Sequence, residues 1–244
     1  MTLRLISHGT QVFIAAEYYL PLYFQSVKEA SPLRSGVLLV PLIVSTAATG
    51  VMTGLTIHRT GQYRPMIWLG TALLTLGNGL FISFKATTSI GTVIGLEIVA
   101  GVGSGLLFEP PLIAIQQGVA QDDVGTATST QSFVRSLALS LGVILGGIVF
   151  QQSMDLKQSQ FRAAGLPAAI IEDLSGKNAG SNVLIVRTLP PAQELLVKEA
   201  FAWSIRNMFI MFTGFAACGM VASIFVRRKR LSKEHRETIT GLKN

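Results

Sequence analysis

The sequence holds one cysteine, three histidines and few charges among 244 residues. A single thiol, Cys218, excludes an internal disulfide, and its setting in an apolar run makes it a small hydrophobic filler. His8, His58 and His235 stand far apart, so no histidine cluster for a metal can be assembled. Asp122 and Asp123 are adjacent rather than spaced, which leaves no paired-aspartate arrangement for a magnesium–pyrophosphate group. No metal and no cofactor are expected, and a polytopic membrane enzyme is disfavoured. Charged residues amount to 14% of the chain, against about 25% in soluble domains.

What fills the space is hydrophobic: 49% of the residues, gathered into runs long enough to cross a bilayer at about 1.5 Å per residue. The expected fold is an all-α polytopic membrane protein with six transmembrane helices over about 6–25, 33–57, 65–84, 90–117, 126–151 and 208–226. A domain of residues 1–231 would hold these spans together with a long extracellular segment, 153–199, between the fifth and sixth. A basic tail, 232–244, follows. Met1–Phe13 ends in no small-residue cleavage site and runs on into the aromatic YYLPLYF, so it does not read as a signal peptide.

Local chemistry punctuates these spans. Pro21 should kink the first. Ser31 before Pro32 is an N-cap with proline at the first helical position, and Gly50 with Gly54 gives the second span a close-packing face. The fourth carries Glu97, then Gly101, Gly103 and Gly105, then Glu109 before Pro110 and Pro111. Two consecutive prolines remove two backbone donors and break the ladder. Asp122 and Asp123 suit the start of the fifth span. Within 153–199, pieces such as FRAAGLPAAIIEDLSG read as short surface helices, and a helical pattern resumes at Pro191.

The fifth span buries an arginine, Arg135, near mid-depth. On insertion scales that costs about 2.5–3.5 kcal/mol, so such a residue faces protein or a wet cavity and has a partner. Gln131 lies one turn earlier on the same face, with Ser132, Ser136 and Ser140 on a neighbouring ridge. Gly142 and Gly146 make a GxxxG step for close helix approach. Two readings stand for Arg135: a structural arginine tied to helix-end carbonyls, or a cavity residue for substrate or coupling charge. Glu17 falls at a similar depth in the first span, beside Tyr18 and Tyr19, and is either a hydrogen-bonded structural acid or a proton site. Glu109, nearer the cytoplasmic face, is either that or the cap of the half-helix that Pro110 restarts. Tyr18, Tyr19 and Trp203 suit an aromatic substrate, and an interfacial belt also accounts for Trp203.

Six spans put both termini on one side. Seven of the twenty lysines and arginines lie in the final eighteen residues, and Arg59 and Arg64 fall on the same face. That face is therefore read as cytoplasmic. Basic charge placed this way flanks a membrane; nucleic acid is not an expected partner.

YYLPLYFQSVKEASPLRSGV, the TGQYRP loop and FVRSLALSLGVILGGIVFQQ, in that order, resemble the major facilitator superfamily. They are similar to the C-terminal six-helix half of the fungal fourteen-span drug:proton antiporters. Gly54, His58, Arg59, Gly61 and Arg64 resemble the second copy of the superfamily's loop motif, with His58 in place of its aspartate. Glu97 before Gly101 and Gly103 stands where the other half of such proteins carries an arginine, and Ala138–Leu139 replaces a small pair. The resemblance implies one half of a transporter in which spans one, two, four and five line a central cavity, placing Glu17, Glu109, Gln131 and Arg135 on cavity-lining helices. It also implies proton-coupled efflux of a small amphipathic substrate, such as a drug or toxin, at the plasma or vacuolar membrane. The implied partners are the lipid bilayer and an N-terminal six-helix half or a second copy of this chain.

Overall fold

The computed structural model describes residues 18–224, and every regular element among them is helical. Helix α1 covers 18–26 in its described part. It is followed by α2 (Pro32–Leu38), α3 (Val40–Thr60), α4 (Arg64–Phe81), α5 (Ile90–Gly105) and α6 (Pro110–Gln116). A 3-10 turn at Gln121–Asp123 leads into α7 (Val124–Ala163). The short helices α8 (Ala168–Asp173) and α9 (Gly176–Ala179) and a 3-10 turn at Val183–Thr188 precede α10 (Pro191–Ile224).

Four helical stretches are long and apolar enough to cross a membrane: Pro32–Thr60, Ile90–Gln116, Gln121–Ala163 and Pro191–Ile224. The third expected span is α4, which packs against α5 and α10. Residues 6–17 of the first expected span, including His8 and Glu17, lie outside the described residues, as does the tail with His235.

Local signals set most boundaries. The Ser31 hydroxyl accepts the Arg34 amide at 3.2 Å, and Pro32 stands in the first turn, as read from the sequence. Gly61 takes the left-handed conformation (φ 67°) at the end of α3 and returns its amide to the Ile57 carbonyl. Glycine alone adopts that backbone without side-chain strain, which is why it stops helices.

Three spans differ from their expected form. The second is broken at Leu39, because Pro41 brings no amide and its ring clashes with the carbonyl four residues back. The fourth is broken between Gly105 and Pro110, so it is two helices rather than one. The fifth overruns Gln151 by twelve residues to Ala163, since Gln152–Ala163 contains neither glycine nor proline. Gly165 (φ 72°) and Pro167 end it. At 40 residues α7 is about 60 Å long, twice the roughly 30 Å hydrocarbon core. Its last part and the first turns of α10 therefore stand outside the membrane, with 164–190 packed on them.

Glycine contacts set the register of the bundle. A Cβ on Gly103 would fall 2.5 Å from the Leu74 amide nitrogen, and one on Gly77 would fall 2.7 Å from the Ala100 Cα, so α4 and α5 run antiparallel in backbone contact. Gly101 is pressed against Ser45 and the Leu42 carbonyl, and Gly105 against the Thr46 carbonyl, which makes α3 parallel to α5. These are the packing roles expected of Gly101, Gly103 and Gly105. Gly54 has nothing within 4 Å of its Cβ position, so the expected close-packing face of α3 reduces to Gly50, 3.9 Å from the Gly105 carbonyl. Lipid tails are as apolar as leucine, and packing of this kind is what holds helices together in a bilayer.

At the end of the bundle that carries 164–190, Tyr23 stacks on Phe84 at 4.9 Å and 24°, and Phe81 meets Phe209 at 5.1 Å. All four rings are buried. The Gly176 amide donates to Asp155 Oδ1 at 2.8 Å, which seats α9 on α7. Lys198 on α10 pairs with Glu194 and with Glu29 in the loop after α1. Cys218 is exposed rather than an internal filler; its helix turns it away from the bundle.

Candidate functional site

The break between α5 and α6 and the middle of α7 come together around Arg135. Its guanidinium lies over the Phe108 ring, with Cζ 4.7 Å from the centroid. Phe108 stands in the break itself, where the helix has lost its ladder, and its ring is free to face α7. An arginine over an aromatic face is held by the ring quadrupole while its fork of donors stays available. Of the two readings of Arg135, the structural one required helix-end carbonyls as partner. The partner is a ring.

Gln131, one turn earlier, is buried at 7% exposure. Its Oε1 has no hydrogen-bond partner. Gln116 on α6 donates to the Thr128 hydroxyl at 3.2 Å, tying α6 to the turn below. Ser132, Ser136 and Ser140 are exposed, so the polar ridge beside Arg135 faces out of this bundle. Glu109 occupies the N-cap position of α6 without a side-chain capping bond. Among the described residues the ion pairs are those of Lys198, so Glu109 and Arg135 are brought into one neighbourhood without pairing. Glu17 cannot be placed against them.

Tyr18 and Tyr19 diverge in role. Tyr19 is buried, donates its hydroxyl to the Val143 carbonyl at 2.8 Å, and lies on Gly146, where a Cβ would fall 2.6 Å from Cε2. Gly146 thus packs against a ring of α1, and Gly142 is buried on the same face. Tyr18 is 59% exposed and meets Tyr19 edge-on at 5.0 Å. It lines a cleft of about 620 Å³ together with Gln25, Gln151, Lys177 and Ser181. Trp203 lies apart from it, with Lys157 Nζ 4.3 Å from its ring centroid. That is an amphipathic pairing suited to an interface.

The loop-motif residues divide as well. His58 and Arg59 are exposed on the last turn of α3. Arg64 stacks on Trp68 at 4.4 Å and reaches the Ile224 carbonyl at 3.4 Å, while Trp68 Nε1 donates to the Ser223 carbonyl at 3.0 Å. The motif's last arginine therefore clamps α4 to α10.

Sequence reading passed over two buried polar groups as sites. Glu97 is fully buried with neither carboxyl oxygen hydrogen-bonded, and the Asn78 Oδ1 is likewise buried and orphaned. Their position inside apolar helices was the available signal. It also missed the cluster outside the spans, where Lys198 holds the Glu29 carboxyl below the usual glutamate value and Arg187 donates to the Glu29 carbonyl.

The profile described as Major Facilitator Superfamily matches residues 2–143. The chain is similar to the MFS-type transporter ppz2 of Metarhizium majus, 37% identical over 94% of this chain and 40% of that protein. It is 36% identical to the efflux pump dotC of Dothistroma septosporum over 95% of this chain and 39% of the pump. With the efflux pump FUS6 of Gibberella moniliformis it shares 31% identity over 93% of this chain and 40% of the pump. The chain thus spans about two-fifths of the length of these relatives. No solved structure matches it. An all-helical chain with bilayer-length apolar helices, a superfamily match over more than half its length and fungal transporters as relatives is an integral membrane protein of the major facilitator superfamily.

Proposed function

We propose that this chain forms the C-terminal six-helix wall of a proton-coupled exporter of small amphipathic molecules, and that Arg135 faces the transport cavity. The observation that carries the reading is Arg135 itself, half-buried at the α5–α6 break and held by the Phe108 ring rather than by carbonyls. Exposed Ser132, Ser136 and Ser140 beside it leave a polar strip that neither lipid nor this bundle satisfies. In superfamily transporters two six-helix halves face each other about an axis along the membrane normal, and one rocks against the other. An N-terminal half seated against α7 would cover the strip and make a cavity of it. Relatives named as efflux pumps support export as the direction. Tyr18 and the cleft with Gln25, Gln151 and Lys177 suit a substrate with an aromatic body and polar groups. The plasma membrane is the proposed site, with the tail after Val226 in the cytoplasm.

The test is export by the assembled transporter carrying Arg135→Ala or Arg135→Lys. The alanine variant should nearly abolish export and the lysine variant keep part of it, because charge is preserved and the planar fork is lost. Normal export by a well-inserted Arg135→Ala protein would make the arginine structural.

A further inference from the structure

We propose that Glu97 is the side chain that carries the coupled proton; the inference rests on the export reading and assigns it a residue. Glu97 lies seven residues into α5, about 10 Å below the helix start, and has no exposed surface. Neither carboxyl oxygen has a hydrogen-bond partner. Val93 and Ala100, one turn away on either side, are buried on the same face.

The helices packed against α5 offer no compensating charge. Residues 38–57 of α3 and 65–84 of α4 contain no Asp, Glu, Lys, Arg or His. His58 and Arg59 of α3 and Arg64 of α4 stand at the opposite end of the bundle from Glu97, as the register requires. Lys85 and Lys28 belong to the rim, Lys28 donating to the Ala86 carbonyl. The described part of α1 (18–26) and residues 207–224 of α10 are also without charge. An ionised carboxylate with neither donor nor counter-ion is far more costly than a protonated one. In this arrangement Glu97 therefore holds its proton.

An acceptor for that O–H stands on the neighbouring helix. Asn78 donates its amide to the Leu74 carbonyl at 2.9 Å, which leaves Oδ1 buried and without a donor. The close Gly77–Ala100 contact sets Asn78 and Glu97 at adjacent levels of the α4–α5 pair. Rocking that parts these helices would admit water. The Glu97 O–H bond then breaks, its electron pair stays on the carboxylate and the proton passes to water; reprotonation from the opposite side reverses the step. This site differs from Glu17, Glu109 and Arg135, because only here is a carboxyl sealed away from every partner among the described residues.

Infrared spectroscopy of the chain in lipid vesicles at neutral pH tests the protonation directly. Exposed Asp and Glu are ionised there, so a protonated-carboxyl C=O band present in the unaltered protein and missing from Glu97→Gln is expected. Absence of that band from the unaltered protein overturns the proposal, and this arm does not depend on how any variant folds. In vesicles of the assembled transporter, Glu97→Gln should retain substrate-for-substrate exchange while accumulation driven by a pH gradient falls to background. Accumulation at the unaltered rate by Glu97→Gln would also overturn it. If the unaltered protein shows the band and accumulates nothing, the export reading fails and the proton site stands.

Discussion

The Tyr19 hydroxyl on α1 donates to the Val143 carbonyl on α7 at 2.8 Å, and its ring occupies the notch that Gly146 leaves in the helix. Two helices far apart in sequence are joined by one side chain that needs both a carbonyl and a missing Cβ.

Gly146→Ala should therefore destabilise the bundle by about 1–3 kcal/mol, the usual cost of overpacking a filled site, since the added methyl would start 2.6 Å from the ring. Tyr19→Phe should cost about 1 kcal/mol, the worth of one hydrogen bond. Unfolding in mixed micelles measures both. A Gly146→Ala protein as stable as the unaltered one would show that α1 and α7 are not packed this way.

Acid should loosen the contact between Glu29 and Lys198 outside the membrane. Lys198 holds the Glu29 carboxyl below its ordinary value of 4.5. A depressed carboxylate stabilises the fold fully above that ordinary value, and the contribution is lost as pH falls through the folded value. The Glu29 side chain is 37% exposed, so solvent screening limits the pair to less than about 1 kcal/mol. Hydrogen exchange of residues 183–189 should quicken below pH 4.5 in the unaltered protein and be pH-insensitive beyond the intrinsic rate in Lys198→Met. Identical acid responses in the two proteins would remove the ion pair from the account.

The tail after Val226 should be cytoplasmic, because Arg227–Arg228–Lys229–Arg230 follows directly on the last span. Cys218 is the single thiol, so a cysteine placed at Asn244 in a Cys218→Ala background reports sidedness cleanly. An impermeant reagent should fail to label it in intact cells. Labelling would invert the topology.

Features governed by a few neighbouring residues were legible in the sequence. Ser31–Pro32 names a helix start, Gly61 a helix stop and Pro110 a restart, because capping and proline geometry act within one turn. Pro41 was overlooked, since it sits in a run so apolar that hydropathy alone suggested an unbroken span. The overrun of α7 to Ala163 went unread for the opposite reason: Gln152–Ala163 is polar, and polarity ended the span without ending the helix. Tertiary facts were out of reach. Nothing local distinguishes Gly54, which faces open space, from Gly101, which is pressed on Ser45. Arg135 was visible as an expensive residue in an apolar helix, yet its partner Phe108 is an ordinary aromatic until the break in span four turns it toward α7. Glu97 was visible as a charge in a span. That it has no partner is a property of the packing.

Proton-driven uptake of a fluorescent amphipathic compound into vesicles, comparing the purified chain with the chain co-expressed with an N-terminal six-helix half, tests the central claim most directly. The account predicts uptake with both halves and none with this chain alone, since its polar wall around Arg135 would have nothing opposite it. Uptake by a demonstrably monomeric preparation of this chain would contradict it.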